Sequence, residues 1–183
     1  MYKLKKIKIM KKILTLFAVV GLIVFSSCEG PEGPEGPPGP QGAIGVVYEN
    51  IAPNYYNFTQ ANNYAVRFNF PVPLVDSDVV LVYRYDGLDT GNRPVWQFLP
   101  ETYYFDNGTR DFTFKYVFTF NYVNIYLNGD NLTDPELNNY RLNQIFRIVV
   151  VPADFASSLN KNNYLDVMKS LKLNESEIKN INF

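Results

Sequence analysis

The sequence predicts an all-β protein, an antiparallel two-sheet β-sandwich of about eight strands followed by two short C-terminal helices. The chain of 183 residues is 46% hydrophobic and contains 14 tyrosines and 14 phenylalanines, which favour strands. From residue 46 onward, short apolar or alternating runs lie between Asn, Asp, Gly and Pro residues, which favour turns. No helical segments alternate with these runs, so an antiparallel sandwich is favoured over a parallel α/β sheet.

Alternating side chains predict the buried faces of two strands, over residues 64–70 and 109–118. The apolar side chains that share a face are Tyr64, Val66, Phe68 and Phe70 in the first run, and Phe112, Phe114, Tyr116 and Phe118 in the second. Asn107-Gly108, between residues 102–106 and the second run, is typical of a type I′ hairpin turn.

The remaining strands are predicted from denser apolar runs. They cover residues 45–51, 79–85, 95–99, 121–127 and 140–151. The last of these ends in Ile148-Val149-Val150-Val151, which is apolar on both faces. Such a strand is expected at the centre of its sheet, because both of its faces must be covered.

The C-terminal tail has helical periodicity. Asn163 is predicted to cap a helix whose apolar face carries Tyr164, Val167, Met168 and Leu171. Asn174-Glu175-Ser176-Glu177 is typical of a capping box, with Leu173 and Ile178 as the flanking hydrophobic staple. The predicted organisation is therefore a leader (1–27), a spacer (28–45), a sandwich (46–155) and a helical segment (156–183).

The first 28 residues have the organisation of a secretory signal. Six lysines precede residue 13, an apolar run of 13 residues covers Ile13–Phe25, and Ser26-Ser27-Cys28 follows. As a helix, this run would be about 20 Å long, which is shorter than the ~30 Å hydrocarbon core of a bilayer. A cleaved leader is therefore favoured over a spanning helix.

The end of this leader resembles the bacterial lipobox, in which a small residue precedes a cysteine that is acylated and becomes the new N-terminus. Phe25 stands where that motif usually has Leu, and the position remains apolar. By this resemblance, Cys28 is the lipidation site, with more than one fatty acyl chain as a stable anchor. The residue after it, Glu29, is not the Asp that retains lipoproteins at the inner membrane. The resemblance thus implies an outer-membrane location.

Residues 30–45 carry glycine at every third position, with proline and glutamate between. This is the collagen pattern, in which only glycine fits the axis of the triple helix. A monomeric polyproline-II spacer of about 45 Å, a short homotrimeric stub and plain disorder all remain open.

Composition excludes several kinds of chemistry. The chain has no histidine and one cysteine, which excludes Ser-His-Asp catalysis, His-ligated zinc and an internal disulfide. Residues 28–183 keep 11 basic and 18 acidic residues, a net charge of −7, which argues against a nucleic-acid partner. No pair of carboxylates indicates a glycosidase. We therefore expect neither an enzyme nor a cofactor.

Two weaker candidate sites remain. Trp96, Tyr103 and Tyr104 are candidate ligand-binding residues, because aromatic platforms bind glycans and one of two adjacent strand residues is exposed. Asp86, Asp89 and Asn92 form an oxygen-rich loop that is a weak calcium candidate, although Asp, Asn and Gly also form ordinary turns. The principal expectation is that no metal is bound.

The lipobox, the Gly-Pro-Glu triplets, the aromatic β domain and the close FRIVVVPADF…NNYLDVMKSLKL together resemble small Gram-negative lipoproteins with a collagen-like stub. The resemblance implies an anchor at Cys28 and carries no activity with it. We expect a lipid-anchored, non-enzymatic envelope protein on the periplasmic or surface face of the outer membrane, with an unknown protein or glycan partner. A glycan-binding module is the alternative.

Overall fold

The computed structural model describes residues 45–104, 110–157 and 159–181. The leader, Cys28, the glycine triplets and the Asn107-Gly108 turn lie outside these residues, so those predictions stay predictions.

Nine strands within the described residues form two sheets, which confirms the predicted all-β sandwich. The five-stranded sheet has the order β4-β3-β8-β1-β9, and the four-stranded sheet has the order β2-β7-β6-β5. The strands are β1 (Val46–Asn50), β2 (Ala65–Asn69), β3 (Val79–Leu88), β4 (Pro94–Phe98), β5 (Glu101–Tyr104), β6 (Arg110–Phe118), β7 (Tyr122–Gly129), β8 (Phe146–Val151) and β9 (Lys179–Ile181). Among these strands, β1 and β9 pair in parallel and the other neighbours pair antiparallel.

The helices are short: α1 (Asn138–Arg141), α2 (Ala153–Ala156) and α3 (Tyr164–Ser170). The predicted cap of α3 is confirmed, because the Asn163 side chain accepts a hydrogen bond from the Asp166 N–H. The predicted capping box also forms, with the Asn174 N–H donating to Glu177 Oε2 at 2.8 Å, but it opens only a 3₁₀ turn, Glu175–Glu177. The chain then continues into β9, so the C-terminal segment completes the five-stranded sheet.

The main core lies between the two sheets. Alternation along β2 and β6 points Phe68, Phe112, Phe114 and Tyr116 inward, as predicted, whereas Phe118 at the end of β6 is exposed. Phe58, from the β1–β2 connection, packs edge-on against Phe114 and Phe146 with ring centroids 5.5 and 5.9 Å apart. Such edge-to-face aromatic contacts add to the free energy gained by burying the rings.

A second core covers the outer face of the five-stranded sheet. The apolar face of α3 packs on outward side chains of β1, β3 and β8. Its members include Val47, Leu81, Tyr83, Val149, Val151, Tyr164, Val167, Met168 and Leu171. Because α3 covers this face, all six residues of β8 are buried, which agrees with its predicted central position.

The prediction that the last long strand begins at Tyr140 is wrong. Residues 138–141 form α1, and β8 begins only at Phe146. The buried Gln144 side chain donates to the carbonyl oxygens of Asn139 and Leu142, both at 2.8 Å. These bonds hold residues 139–144 in a compact turn, and Asn143 adopts a left-handed conformation at φ 55°. The apolar run that predicts the strand does not reveal these hydrogen bonds.

Phe58→Ala should lower the free energy of unfolding by about 3 to 5 kcal/mol, because it removes a fully buried ring between two other rings. Leu165→Ala, an exposed position on α3, is the control and should change stability by less than about 0.5 kcal/mol. Urea unfolding followed by circular dichroism measures both. Similar losses for the two variants would contradict the assigned core.

Candidate functional site

A polar cleft lies where the end of β3 meets the segment that contains α1. Its volume is about 520 Å³, within the range of small-ligand sites. The residues that line it are Arg84, Tyr85, Asp86, Gly87, Asn138, Asn139, Tyr140, Leu142, Asn143, Gln144 and Ile145. Six of these side chains carry amide, carboxylate or guanidinium groups, so hydrogen bonding dominates the chemistry of the cleft.

Two backbone features shape the cleft walls. β3 changes register against β4 between Tyr85 and Leu88, and Gly87 within this bulge has a φ of 96°, which favours glycine. On the other wall, the Tyr56 N–H donates to the Gln144 carbonyl oxygen, and the Gln144 N–H donates back to Tyr56. This bridge ties the α1 segment to the body of the sandwich.

Arg84 forms the floor of the cleft. Alternation along β3 turns its side chain inward with Val80 and Val82, and only 4% of that side chain is exposed. Glu101 accepts two hydrogen bonds from it, from Nε at 2.8 Å and from Nη2 at 3.1 Å. Nη2 also contacts Asp86 and the Tyr103 hydroxyl, both at 2.5 Å. The buried charge is therefore paired and hydrogen-bonded, as a buried guanidinium requires.

The pKa shifts agree with this arrangement. Burial alone would lower the pKa of Arg84, but the hydrogen bonds and charge of Glu101 raise it above its ordinary value. Burial raises the pKa of Tyr103, and its hydrogen bond to Glu101 raises it further. Arg84 therefore stays charged and Tyr103 stays neutral at physiological pH, so this cluster holds its protons and acts as a fixed support.

The amides at the mouth of the cleft are available to a ligand. Among the described residues, the side chains of Asn139 and Asn143 have no hydrogen-bond partner, and both residues are exposed. The Asn138 side chain, in contrast, accepts a hydrogen bond from Arg141. Because the Arg84 guanidinium is already engaged by two carboxylates, the cleft offers neutral donors and acceptors rather than a positive charge. This chemistry suits an uncharged polar ligand.

The structure does not bring the three candidate aromatic residues together. Trp96 lies on the outer face of the five-stranded sheet, with the Arg147 guanidinium 4.1 Å from its ring centroid and the Tyr164 ring at 5.6 Å. Tyr103 points into the main core, where its ring stacks on Phe112 at 4.5 Å. Tyr104 is exposed. Trp96 is half-buried and lines a pocket of about 290 Å³ with Asn163 and Tyr164, whereas Tyr103 makes core contacts and Tyr104 is exposed.

The loop that contains the weak calcium candidates is held by arginines. Asp86 pairs with Arg84, and Asp89 pairs with Arg93 at 2.7 Å. Backbone and side-chain hydrogen bonds from Arg93 lower the pKa of Asp89. Asn92 supplies a left-handed turn residue at φ 61°. Within residues 45–104, 110–157 and 159–181, no group of three His, Cys, Asp or Glu side chains is placed to hold a metal ion.

A second buried arginine attaches the C-terminal segment to the sheet. Arg147 of β8 points to the outer face and pairs with Glu49 of β1 at 3.0 Å and with Glu175 at 2.6 Å. It also donates to the Tyr164 hydroxyl at 2.7 Å. One guanidinium thus links β1, β8, α3 and the final 3₁₀ turn.

Sequence reasoning named Asp86, as a calcium candidate, but missed the other residues of the cleft. Arg84 could have been noticed, since it continues the inward series of Val80 and Val82 and a charge at such a position needs partners. Asn143 and Gln144 fall within the strand predicted from Tyr140, where they would not converge with Asn138 and Asn139. Nothing in the local pattern connects Glu101 with Arg84.

Comparisons with protein-family models, with curated proteins and with solved structures find no match to this chain. In the part of the chain that the structure describes, no helix is both long and apolar enough to cross a membrane.

Glu101→Gln should destabilise the protein by about 3 kcal/mol, because it leaves the buried Arg84 without its bidentate partner while Asp86 remains. Glu175→Gln is the matched comparison, since it removes a bidentate partner from the equally buried Arg147. Glu101 is 11% exposed and Glu175 is 65% exposed, so the second variant should lose at most about 1 kcal/mol. Denaturant unfolding measures both values. Equal losses would contradict the assigned supporting role of the Arg84 cluster.

Proposed function

We propose that this chain is a lipid-anchored protein of the outer membrane that acts by binding rather than by catalysis. Cys28 carries the fatty acyl chains, residues 29–45 form the spacer, and the sandwich presents a binding surface. The observation that carries the binding role is the cleft. Exposed Asn139 and Asn143 line it together with Arg84, which stays charged and is paired with carboxylates.

The residues of the cleft support binding more readily than catalysis. Asp86 is the carboxylate that lines it, and this group is already paired with Arg84. A general base needs access to a substrate proton, whereas the Asp86 carboxylate is engaged by the Arg84 guanidinium. The neighbouring groups are amides and phenols, which orient a ligand through hydrogen bonds.

Cys28→Ala should abolish acylation and move the protein from the membrane fraction to the soluble fraction. Two or more acyl chains provide stable anchoring, and the substitution removes the sulfur to which they would attach. Fractionation of cells, with intact-mass measurement of the purified protein, tests this expectation.

Ser26→Ala is the control, because it keeps a small residue before the cysteine and should leave the protein acylated. Persistent membrane association of a Cys28→Ala protein whose intact mass shows that the leader has been removed would overturn the anchor proposal.

Glycan binding is the second candidate function, and the lining of the cleft is the observation that favours it. Asn139 and Asn143 offer neutral donors and acceptors that match sugar hydroxyls, and the rings of Tyr85 and Tyr140 contribute apolar surface. The cleft differs from the aromatic platform that the sequence suggested, since Trp96 does not line it and Tyr103 lies in the core beneath it.

The double variant Asn139→Ala, Asn143→Gly should lose binding to neutral oligosaccharides on a printed glycan array. Ala favours the helix at position 139, and Gly accepts the positive φ at 143, so the fold should be retained. Calorimetry with any oligosaccharide retained by the wild-type protein gives the affinity.

Asn128→Ala, an exposed asparagine on β7, is the matched control and should bind like the wild type. If Tyr104→Ala abolishes binding while the double variant retains it, the sugar lies on the open sheet face instead. If no glycan is retained by the wild type, the glycan candidate fails, whereas the anchor proposal is unaffected.

A further inference from the structure

An apolar patch is exposed on the sandwich. It consists of Val72, Leu74 and Val75 in the β2–β3 connection, and Phe118 and Phe120 around the β6–β7 turn. Val72 is 72% exposed and Phe120 is 52% exposed. Single exposed apolar side chains are common, but several large ones side by side mark an interaction surface.

Hydrogen bonds hold the two segments of the patch together. The Leu74 N–H donates to the Phe120 carbonyl oxygen at 2.7 Å, and the Phe70 N–H donates to that of Asn121 at 2.8 Å. The Val75 N–H donates to Asp78 Oδ2 at 3.1 Å. A groove of about 440 Å³ lies between the segments. The patch is therefore a formed surface, and its side chains need no rearrangement to be presented.

The patch lies at the end of the sandwich where β1 begins. Val46, the first residue of β1, is opposite Val150 of β8, and the next residue of β8, Val151, is opposite Val79 of β3. Two strand spacings separate β1 from β3, about 10 Å. Asp78, which lines the groove, directly precedes Val79. The start of β1 and the patch thus lie at the same end of the sheet.

The charge around the groove limits the kind of partner. Among the described residues that line it, Asp76 and Asp78 carry charge and none is basic. An anionic surface would be repelled, whereas an apolar or zwitterionic surface would not.

We propose that this patch is a membrane-contact surface, and that its Phe118 and Phe120 side chains insert into the interface of a zwitterionic bilayer. This inference rests on the proposed acyl anchor, which tethers the sandwich to the bilayer through a spacer of at most about 45 Å and so makes the contact of the patch effectively intramolecular. The anchor and the patch then act as two membrane attachments in one chain. The polar cleft lies at the C-terminal end of β3, about 20 to 25 Å along that strand from Val79, and faces away from the lipid.

The test uses the full-length protein, purified after processing and reconstituted into phosphatidylcholine vesicles. Phe120→Trp places a reporter in the patch, and Tyr104→Trp places one at the opposite end of β6. In vesicles with bromine-labelled acyl chains, the emission of the reporter at 120 should shift to shorter wavelength and lose intensity. The reporter at 104 should not change, and the wild-type emission of Trp96 is subtracted from both. Anionic phosphatidylglycerol in the vesicles should weaken the effect.

Vesicle-bound protein whose reporter at 120 is not quenched would overturn the proposal, as would equal quenching at 120 and 104. Val72→Trp is the second reporter should Phe120→Trp fail to fold. A blue shift that grows with protein concentration in the absence of lipid would show that the patch binds a second copy of the chain. That result would also overturn the proposal. Failure of the anchor proposal would be seen separately, as an unmodified intact mass of the purified protein. Vesicles added to that soluble protein would still test the patch. Unquenched reporters in this experiment would refute the membrane-contact proposal.

Discussion

The burial of β8 on both faces is the constraint on which the rest of the structure depends. Phe146, Ile148 and Val150 face the four-stranded sheet, so that sheet must close over them. Val149 and Val151 face the other way, where uncovered they would expose apolar surface to water. The chain covers them with α3 and then returns to the sheet edge as β9. The C-terminal segment is thus part of the fold, because a strand that is apolar on both faces needs two covering layers.

Two buried arginines organise the polar parts of this layered arrangement. Arg84 lies on the inner face of the five-stranded sheet and Arg147 on the outer face, and each meets two carboxylates and one tyrosine hydroxyl. Because a buried guanidinium left unpaired is costly, each arginine restricts where its partners can lie. Arg147 fixes the C-terminal turn through Glu175, and Arg84 fixes the floor of the cleft through Glu101. The proposed binding site is therefore supported by the same kind of interaction that closes the fold.

Several elements could be predicted because their signals are local. The inward aromatic series of β2 and β6 follows from a period of two, and the cap of α3 follows from one asparagine placed before an apolar helical face. The strand predicted from Tyr140 begins only at Phe146, because the Gln144 side chain stabilises a turn before it. Trp96 was considered as a ligand platform because isolated aromatic residues have no visible partner in a sequence, whereas the fold places Arg147 against its ring.

By itself, the sequence determined the all-β class, the faces of the main strands and the prediction of a leader that ends just before Cys28. These properties depend on composition, on short-range periodicity and on one contiguous motif. Only the tertiary structure decided where contact surfaces form. The cleft joins Asp86 to Asn139, and the apolar patch joins Val75 to Phe120, pairs separated by more than forty residues in the chain. Strand pairing and the burial of Arg84 bring these groups together, and neither leaves a local pattern that identifies the partners.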